Sequence, residues 1–289
     1  MVTSIGSGAV MSSFFYNLPS VGCVCAHRGA RSLAPENTLL ALARARECGA
    51  ALWETDVQLT ADGKAVLFHD RLLGRTTNAA ELDAFVSFAP WALADFTLEQ
   101  LSRLDAGSWF LRDDPFGTVA DGVVRETEHA EIHRQKVPLL DDALEYSRRH
   151  RFPVNLELKD QSGTPAELDL VPVVLEAVAR FGVGDLVLIS SFNHDYLRQV
   201  HNLNPQLATA ALAEGSHPEN LLPYLRGLGV VAYHPDQQIV ETGLIHELDM
   251  AGFRVNLWTV NDVARARELV VAGATFICTD WPQKMVGRL

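Results

Sequence analysis

Charged and polar residues interrupt two segments that are otherwise apolar. Glu54 and Asp56 stand two residues apart in the first segment. Asn155, Glu157 and Lys159 repeat that spacing in the second. Because side chains alternate between the two faces of a strand, the members of each set leave the same face. A strand buried on both faces is normally almost continuously hydrophobic, so we expect these positions to carry chemistry.

Three carboxylates in one apolar interior need compensation. Burying an unpaired ion costs several kcal/mol, and a divalent cation removes that cost for Glu54, Asp56 and Glu157 together. Ligands that are all oxygen favour Mg²⁺ or Ca²⁺ over zinc or copper. The alternative, acids at the surface or in salt bridges, is the usual interpretation for one acidic residue. Two acid-bearing strands favour the metal site.

Two histidines are predicted to reach this site. Asp62-Gly63 between apolar segments indicates a hairpin, and a two-residue turn there sets Asp56 opposite His69. His27 ends the first apolar segment, whose strand neighbours the second in a barrel. Two imidazoles beside a metal provide a general acid and a general base near neutral pH. Arg28 and Lys159 supply positive charge for an anionic substrate.

The elements that position these residues alternate along the chain. Helix-like segments separate short apolar runs, and such alternation predicts parallel strands. Eight runs predict an α/β fold of the TIM (β/α)8 barrel type. An open doubly wound sheet is the alternative, but no glycine-rich phosphate loop opens its first helix. The eight runs are residues 22–27, 51–59, 153–159, 186–192, 207–213, 230–234, 253–260 and 275–279.

Two regions lie outside this alternation. Residues 73–138 are irregular and rich in aromatic residues, and we expect a small insertion after the second strand, resting on the barrel mouth. This insertion either acts as a lid over the site or is an ordinary surface addition without that role. Residues 1–21 form a predicted N-terminal tail whose aromatic residues pack on one end of the fold, while 22–289 form the barrel.

Composition limits the class of partner. Among the 289 residues, 24 are Lys or Arg and 36 are Asp or Glu, a net charge of −12. Phosphate backbones are bound by Lys and Arg, so this balance argues against a nucleic-acid partner. The chain has no predicted integral membrane segment, and its four cysteines fit a reducing compartment, which makes the cytoplasm the expected location.

An ordered series of motifs, from about residue 23 to the C-terminus, resembles the glycerophosphodiester phosphodiesterase family. The family fold is a TIM barrel with an insertion after the second strand. Residues 113–136 look longer here than in compact relatives. The motifs are His27-Arg28-Gly29, Pro35-Glu36-Asn37-Thr38, Glu54-Thr55-Asp56, His69-Asp70, Asp105-Ala106-Gly107-Ser108-Trp109-Phe110, Glu157-Leu158-Lys159, Ser191-Phe192-Asn193, Trp258-Thr259-Val260-Asn261 and Thr279-Asp280-Trp281-Pro282.

The resemblance implies a metal-dependent hydrolase of lipid and glycerol metabolism that acts on small glycerophosphodiesters. One Mg²⁺ or Ca²⁺ ion is held by the three carboxylates, and His27 and His69 share the acid and base roles. The substrate's own glycerol hydroxyl attacks phosphorus, and water opens the resulting cyclic phosphate to glycerol 3-phosphate. The released alcohol is one such as choline or ethanolamine.

Two further residues are expected to bind substrate, each with a structural alternative. Trp258 forms an aromatic wall against glycerol or packs in the core, and Asn193 donates to phosphate or caps a helix. Two other functions remain open: a lysophospholipase D-like hydrolase that uses the same site, and a non-catalytic glycerophosphodiester-binding protein. The second predicts loss of a histidine or a metal-binding carboxylate, and none is lost.

Overall fold

A closed barrel of eight parallel strands forms the body of the protein in the computed structural model, which describes residues 13–16 and 18–289. The barrel closes because β1 pairs with both β2 and β9, and this arrangement confirms the predicted TIM barrel. A ninth strand, β3, pairs antiparallel with β2 outside the ring. The strands are β1 (Cys23–Ala26), β2 (Leu52–Leu59), β3 (Ala65–Leu67), β4 (Val154–Leu158), β5 (Val187–Ser191), β6 (Ala208–Ala213), β7 (Ala232–Pro235), β8 (Arg254–Leu257) and β9 (Phe276–Thr279).

Helices connect the strands and cover the outside of the barrel. Capping residues set their limits: the Thr38 side chain caps α2, one residue later than the predicted start at Asn37, and Asp262 caps α11 as predicted. The helices are α1 (Ser13–Tyr16), α2 (Leu39–Glu47), α3 (Leu98–Ser102), α4 (Ser108–Asp113), α5 (His129–Ile132), α6 (Leu140–His150), α7 (Leu170–Phe181), α8 (His194–Leu203), α9 (Leu221–Leu228), α10 (Thr242–Met250), α11 (Val263–Val271) and α12 (Pro282–Met285). None of these described helices combines the length and the apolar character needed to cross a bilayer.

The alternation of side chains along the strands separates two apolar regions. Trp53, Val57 and other outward residues pack against the helices in the largest cluster. A second cluster fills the lower barrel interior, with Leu188 and Phe276 among its members. Acidic and polar side chains follow this inner cluster toward the carboxyl ends of the strands. The barrel is therefore apolar at one end and polar at the other.

The hairpin between β2 and β3 differs by one residue from the predicted turn. Leu59 pairs with Ala65, which sets Asp56 opposite Phe68 instead of His69, and the Thr60 N–H donates to the Lys64 carbonyl, which leaves a three-residue loop. Contacts with the neighbouring segment favour the longer loop, since the Asp62 carboxylate accepts the Leu98 backbone N–H at 2.9 Å. Gly63 adopts the left-handed φ of +71° that such a loop requires.

Short helices fold residues 73–138 against the barrel. This stretch contains α3, α4, α5 and five 3-10 helices, and its Phe85 and Phe96 are buried in a cluster that also includes Val66 of β3 and Phe68. Its limits as an insertion stay a prediction. The 3-10 helices of the described chain are Leu73–Arg75, Ala79–Glu81, Asp83–Phe88, Leu93–Asp95, Glu126–Glu128 and Pro165–Glu167.

The described part of the N-terminal region closes the apolar end of the barrel. Phe14 and Phe15 are buried there, and the Phe15 ring stacks on Phe276 with centroids 5.9 Å apart. Leu18 is partly buried against the same cluster, whereas Tyr16 is exposed. The rest of the predicted tail, residues 1–12 and 17, lies outside the described residues.

Candidate metal centre and acid–base pair

A cavity of about 440 Å³ opens at the carboxyl ends of the strands. Active sites of TIM barrels lie at this end because the loops that follow the strands converge there. Most of the predicted site residues line it. Its walls consist of His27, Arg28, Glu54, His69, Asn155, Glu157, Lys159, Asp160, Phe192, Leu212, Glu214, His234, Asn256, Trp258, Thr259 and Cys278.

Glu54 and Glu157 line this cavity, and Asp56 meets them from a buried position that is not part of the cavity wall. Each offers a carboxylate oxygen that lies within 4.8 Å of those of the other two. The parallel register of β2 and β4 sets Asp56 beside Glu157, which is why residues 101 positions apart converge. The spacing of oxygens from three carboxylates suits a single divalent cation.

The free oxygens of this triad support the same conclusion. Glu54 Oε1 and Asp56 Oδ1 are buried without a hydrogen-bond donor among the described residues. Burial and the charges of Asp56 and Glu157 raise the pKa of Glu54 well above its usual range. Burial, followed by the Asp56 charge, also raises the pKa of Glu157. Buried carboxylate oxygens that lack a hydrogen-bond donor and lie among repelling charges are typical of a metal ligand set, so the triad can hold a cation.

Two cations border the triad. Lys159 Nζ donates to Glu157 Oε1 at 2.7 Å and lies 3.5 Å from Asp56 Oδ1. The Arg28 backbone N–H donates to Glu54 Oε2 at 2.8 Å, and its Nε lies 3.5 Å from Asp56 Oδ2. Although burial alone would raise it, the pKa of Asp56 is lowered, first by Lys159 and then by His69 and Arg28. Both cations therefore touch the carboxylates of the triad and line the cavity.

The loop after β1 has the backbone geometry that this arrangement requires. Arg28 adopts a left-handed φ of +53°, which aims its N–H at Glu54. A Cβ on Gly29 would lie 2.6 Å from the Ala41 backbone, so only glycine allows the loop to pack on α2. Such strain is typical of functional loops whose surroundings fix them.

Both histidines are oriented by an aspartate. His27 Nδ1 lies 2.7 Å from Asp280 Oδ1, and His69 Nδ1 lies 2.6 Å from Asp70 Oδ1. Burial alone would raise the pKa of each aspartate, but the hydrogen bonds with the histidines have the opposite effect. The pKa of Asp280 is lowered to about 2, and the pKa of Asp70 is lowered as well. Because ionised carboxylates only accept, Nδ1 carries the proton in each ring and Nε2 remains free for substrate.

Burial, together with the charge of Arg28, lowers the pKa of His27 to about 4, although the hydrogen bond to Asp280 opposes this change. The ring is therefore neutral at pH 7 and able to accept a proton.

Two amide side chains hold the predicted metal ligand Asp56 and the His69 loop in place. Asn37 Nδ2 donates to Asp56 Oδ2 at 2.8 Å, so Asn37 orients this carboxylate. Gln58 Nε2 lies within 3.3 Å of three consecutive carbonyl oxygens, those of Phe68, His69 and Asp70. These bonds bring His69 to the cavity although the strand register differs from the predicted one.

The structure places the two further substrate-binding candidates, Trp258 and Asn193, in different surroundings. Trp258 lines the cavity, packs edge-on against Phe192 with ring centroids 5.5 Å apart, and donates its Nε1–H to the His234 carbonyl. The structure does not bring Asn193 to the cavity wall. Its Oδ1 accepts the Asp195 backbone N–H at 3.1 Å as the cap of α8, and its Nδ2 donates to Asp160. The helix-capping alternative describes Asn193.

Several residues of the site were not singled out from the sequence. Asp280 was identified only as part of a motif, and Phe192, Leu212, Glu214 and Thr259 were not considered as cavity walls. Each of them lies at or just beyond the carboxyl end of a strand. That position is the signal that would have found them, since the rim of the barrel is built from such residues.

Known proteins are similar to this chain in sequence and in fold. The model of the glycerophosphoryl diester phosphodiesterase family matches residues 27–284. A glycerophosphodiester phosphodiesterase of Caldanaerobacter subterraneus subsp. tengcongensis is 32% identical over 265 residues, 91% of this chain and 96% of that protein. Another, of Bacillus altitudinis, is 31% identical over 269 residues, which cover 91% of this chain and 96% of that protein. The structure of an Oleispira antarctica phosphodiesterase with the product sn-glycerol-3-phosphate gives a TM-score of 0.79 at 29% identity, covering 96% of this chain and 99% of that one.

Replacing Glu54 by Gln should stabilise the metal-free protein and weaken metal binding. Gln keeps an acceptor for the Arg28 N–H and removes one of three repelling charges, so the free energy of unfolding without metal should rise by about 1 to 3 kcal/mol. The affinity for Ca²⁺ or Mg²⁺ should fall at least about tenfold. Urea unfolding in EDTA and calorimetric metal titration measure the two effects.

The matched control is Glu47→Gln, an exposed carboxylate paired with Arg44 on α2. It should change stability by less than about 0.5 kcal/mol and leave metal binding unchanged. A metal-free Glu54→Gln protein that is less stable than the parent would contradict the repulsion inferred for the triad.

Acid should destabilise the fold partly through His234. Burial lowers the pKa of this ring to about 3, so the native state holds it neutral while the unfolded chain protonates it near 6.5. Its contribution is complete above pH 6.5 and is lost as the pH falls toward 3. At pH 4.5, two units below the unfolded pKa, the loss is about 2 to 3 kcal/mol.

Urea unfolding of the parent and His234→Asn at pH 7.5 and 4.5 tests this contribution. The variant should lose about 2 to 3 kcal/mol less than the parent between the two pH values. Equal losses would show that His234 does not titrate across unfolding.

Proposed function

This chain belongs to the glycerophosphoryl diester phosphodiesterase family, whose named members are phosphoric diester hydrolases, and on that premise we propose that it hydrolyses small glycerophosphodiesters to glycerol 3-phosphate and an alcohol. The observation that supports this most is the convergence of three carboxylates and two aspartate-oriented histidines on one cavity. The Oleispira antarctica phosphodiesterase was solved with sn-glycerol-3-phosphate as its product, and that compound matches the product proposed for this chain.

Glu54, Asp56 and Glu157 would hold one divalent cation, Mg²⁺ or Ca²⁺. When bound, such an ion supplies positive charge that stabilises the developing charge on the phosphoryl oxygens. The oxygen-only ligand set and the two buried carboxylate oxygens that lack a hydrogen-bond donor among the described residues support this assignment.

His27 and His69 would act as the acid–base pair. One Nε2 removes the proton from the attacking glycerol hydroxyl as that oxygen bonds to phosphorus. The bond from phosphorus to the leaving alcohol breaks, and the other ring, which enters the step as an imidazolium with a proton on each nitrogen, gives its Nε2 proton to that oxygen. Water then opens the cyclic phosphate with the two roles exchanged. The attack is intramolecular, so it gains from proximity and requires a glycerol end on the substrate.

Arg28, Lys159 and Trp258 would position the substrate. Arg28 and Lys159 line the cavity beside the three carboxylates, where their positive charges would meet the phosphoryl oxygens of a bound substrate. Trp258 and Phe192 form an aromatic wall suited to the carbon atoms of glycerol. Asn193 is left out of this set because its side chain is already bonded as a helix cap.

A lysophospholipid substrate has less support. It requires an apolar groove, for which the aromatic insertion is the candidate. Phe85 and Phe96 are buried in a separate apolar cluster, and no residue of the insertion is among the described walls of the cavity. The apolar walls of the cavity are side chains such as Phe192, Leu212 and Trp258, and charged residues of the carboxylate end stand opposite them.

The domain division and the cellular setting belong to the same proposal. The chain would consist of a tail of residues 1–21 and a barrel of 22–289 with an insertion at 73–138. A cytoplasmic location and a role in lipid and glycerol metabolism are proposed from the family and from four cysteines that are all free thiols.

A paired assay tests the function. The protein with Mg²⁺ or Ca²⁺ should release glycerol 3-phosphate and choline from glycerophosphocholine, with far slower turnover of lysophosphatidylcholine. EDTA should abolish the activity, and added metal should restore it. Faster turnover of the lysophospholipid would favour the lysophospholipase D alternative, tight binding without turnover would indicate a binding protein, and full activity in EDTA would refute the metal assignment.

Replacing His69 by Ala should lower kcat by about 10² to 10⁴-fold, the range expected for loss of a positioned acid or base. Metal affinity should stay near that of the parent, because His69 is not one of the three proposed ligands. Steady-state kinetics with a parallel metal titration measure both quantities. The control is His150→Ala on α6, at an exposed position, which should retain the parent kcat, and parent rates in His69→Ala would remove His69 from the mechanism.

A further inference from the structure

One buried carboxylate outside the cavity binds three arginines. Glu36 has a side-chain exposure of 3%, and its Oε1 accepts from Arg28 at 2.9 Å and from Arg75 at 2.5 Å. Its Oε2 accepts from Arg31 at 2.6 Å and from Arg75 again at 3.2 Å. Two carboxylate oxygens thus satisfy donors from three guanidinium groups, which fixes the three relative to one another.

Two of these arginines continue to the aspartates that hold the histidines. Arg31 lies 3.5 Å from Asp280 Oδ1, the oxygen that bonds His27. Arg75 Nε donates to Asp70 Oδ2 at 2.5 Å, while the other Asp70 oxygen bonds His69. Both histidine–aspartate pairs are therefore connected to Glu36 through one arginine each.

The third arginine connects Glu36 to the carboxylate triad. Arg28 bonds Glu36 with its guanidinium and Glu54 with its backbone N–H. Outside the triad, the network has three arginines and the three carboxylates of Glu36, Asp70 and Asp280, so its charges balance when both histidines are neutral. Because these charges balance, either histidine ring can gain a proton while it keeps its hydrogen bond to the aspartate.

We propose that Glu36 is a positioning residue that sets the two histidines relative to each other for phosphodiester cleavage. This inference rests on the function proposed above. Glu36 does not line the cavity and touches neither ring, so it acts through Arg31 and Arg75. The arginines hold the pKa of Glu36 well below its usual range, Arg28 first, although burial opposes them. Glu36 is therefore an ionised anchor at neutral pH.

The first test is Glu36→Gln, which keeps the shape of the side chain and removes its charge. We expect kcat to fall roughly 10- to 100-fold, the usual effect of losing an outer partner of a site, with KM changed less than about threefold. Glu36→Asp keeps the charge and should recover part of the loss. The matched control is Glu145→Gln, a carboxylate bonded to Arg148 and Arg149 on α6, which should retain parent kinetics.

A second readout does not depend on turnover. In ¹H–¹⁵N spectra of the histidine rings, Glu36→Gln should move the signals of both His27 and His69. Arg75→Gln, at a side chain that is 43% exposed, should move His69 and leave His27 in place. Calcium titration should give parent affinity within about threefold in both variants, which separates positioning from damage to the metal ligands.

The outcomes are distinguishable from failure of the proposed function. If the parent does not cleave glycerophosphocholine, the proposed function fails, and the ring spectra still report whether Glu36 sets both histidines. Folded Glu36→Gln protein with parent ring signals and parent kcat would overturn the inference. So would an Arg75→Gln protein in which neither ring moves.

Discussion

The repulsion among Glu54, Asp56 and Glu157 is the constraint on which the rest of the site depends. A TIM barrel can bury such a group because its strands are rigid and its lower interior is already filled by apolar side chains. Three carboxylates whose oxygens lie within 4.8 Å are stable together only with cations beside them. Arg28 and Lys159 supply part of that charge, and two carboxylate oxygens remain without a donor among the described residues, which leaves them for an ion to bind.

Polar side chains outside the cavity keep this group in a reactive arrangement. Asn37 holds Asp56, and Gln58 gathers three carbonyl oxygens around His69. Neither amide titrates, so both remain hydrogen-bond donors at any pH. The titrating groups are instead held by carboxylates of low pKa, Asp70 and Asp280. The site thus separates groups that fix geometry from groups that move protons.

The sequence predicted the barrel and most of the residues at its centre because strand periodicity decides which face a side chain occupies. The alternation in β2 and β4 was sufficient to bring Glu54 and Glu157 together once the strands were neighbours. The turn at Asp62 was predicted one residue too short because the bond from Leu98 that favours the longer loop is a tertiary contact. Asn193 looked like a ligand for phosphate because a strand-end position suits both substrate binding and helix capping, and only the contact with Asp195 decides between them.

Contacts distant in sequence explain the remaining part of the site. Asp280 lies 253 residues after His27, and no local pattern relates them until the closure of β1 on β9 brings them together. Arg75 likewise reaches Glu36 across 39 residues, from the start of the predicted insertion to the first loop of the barrel. The segment after the second strand contributes His69, Asp70 and Arg75 to the same network as the barrel's own His27. Because this segment supplies one of the two histidines of the proposed acid–base pair, its packing against the barrel must be as exact as the register of the strands.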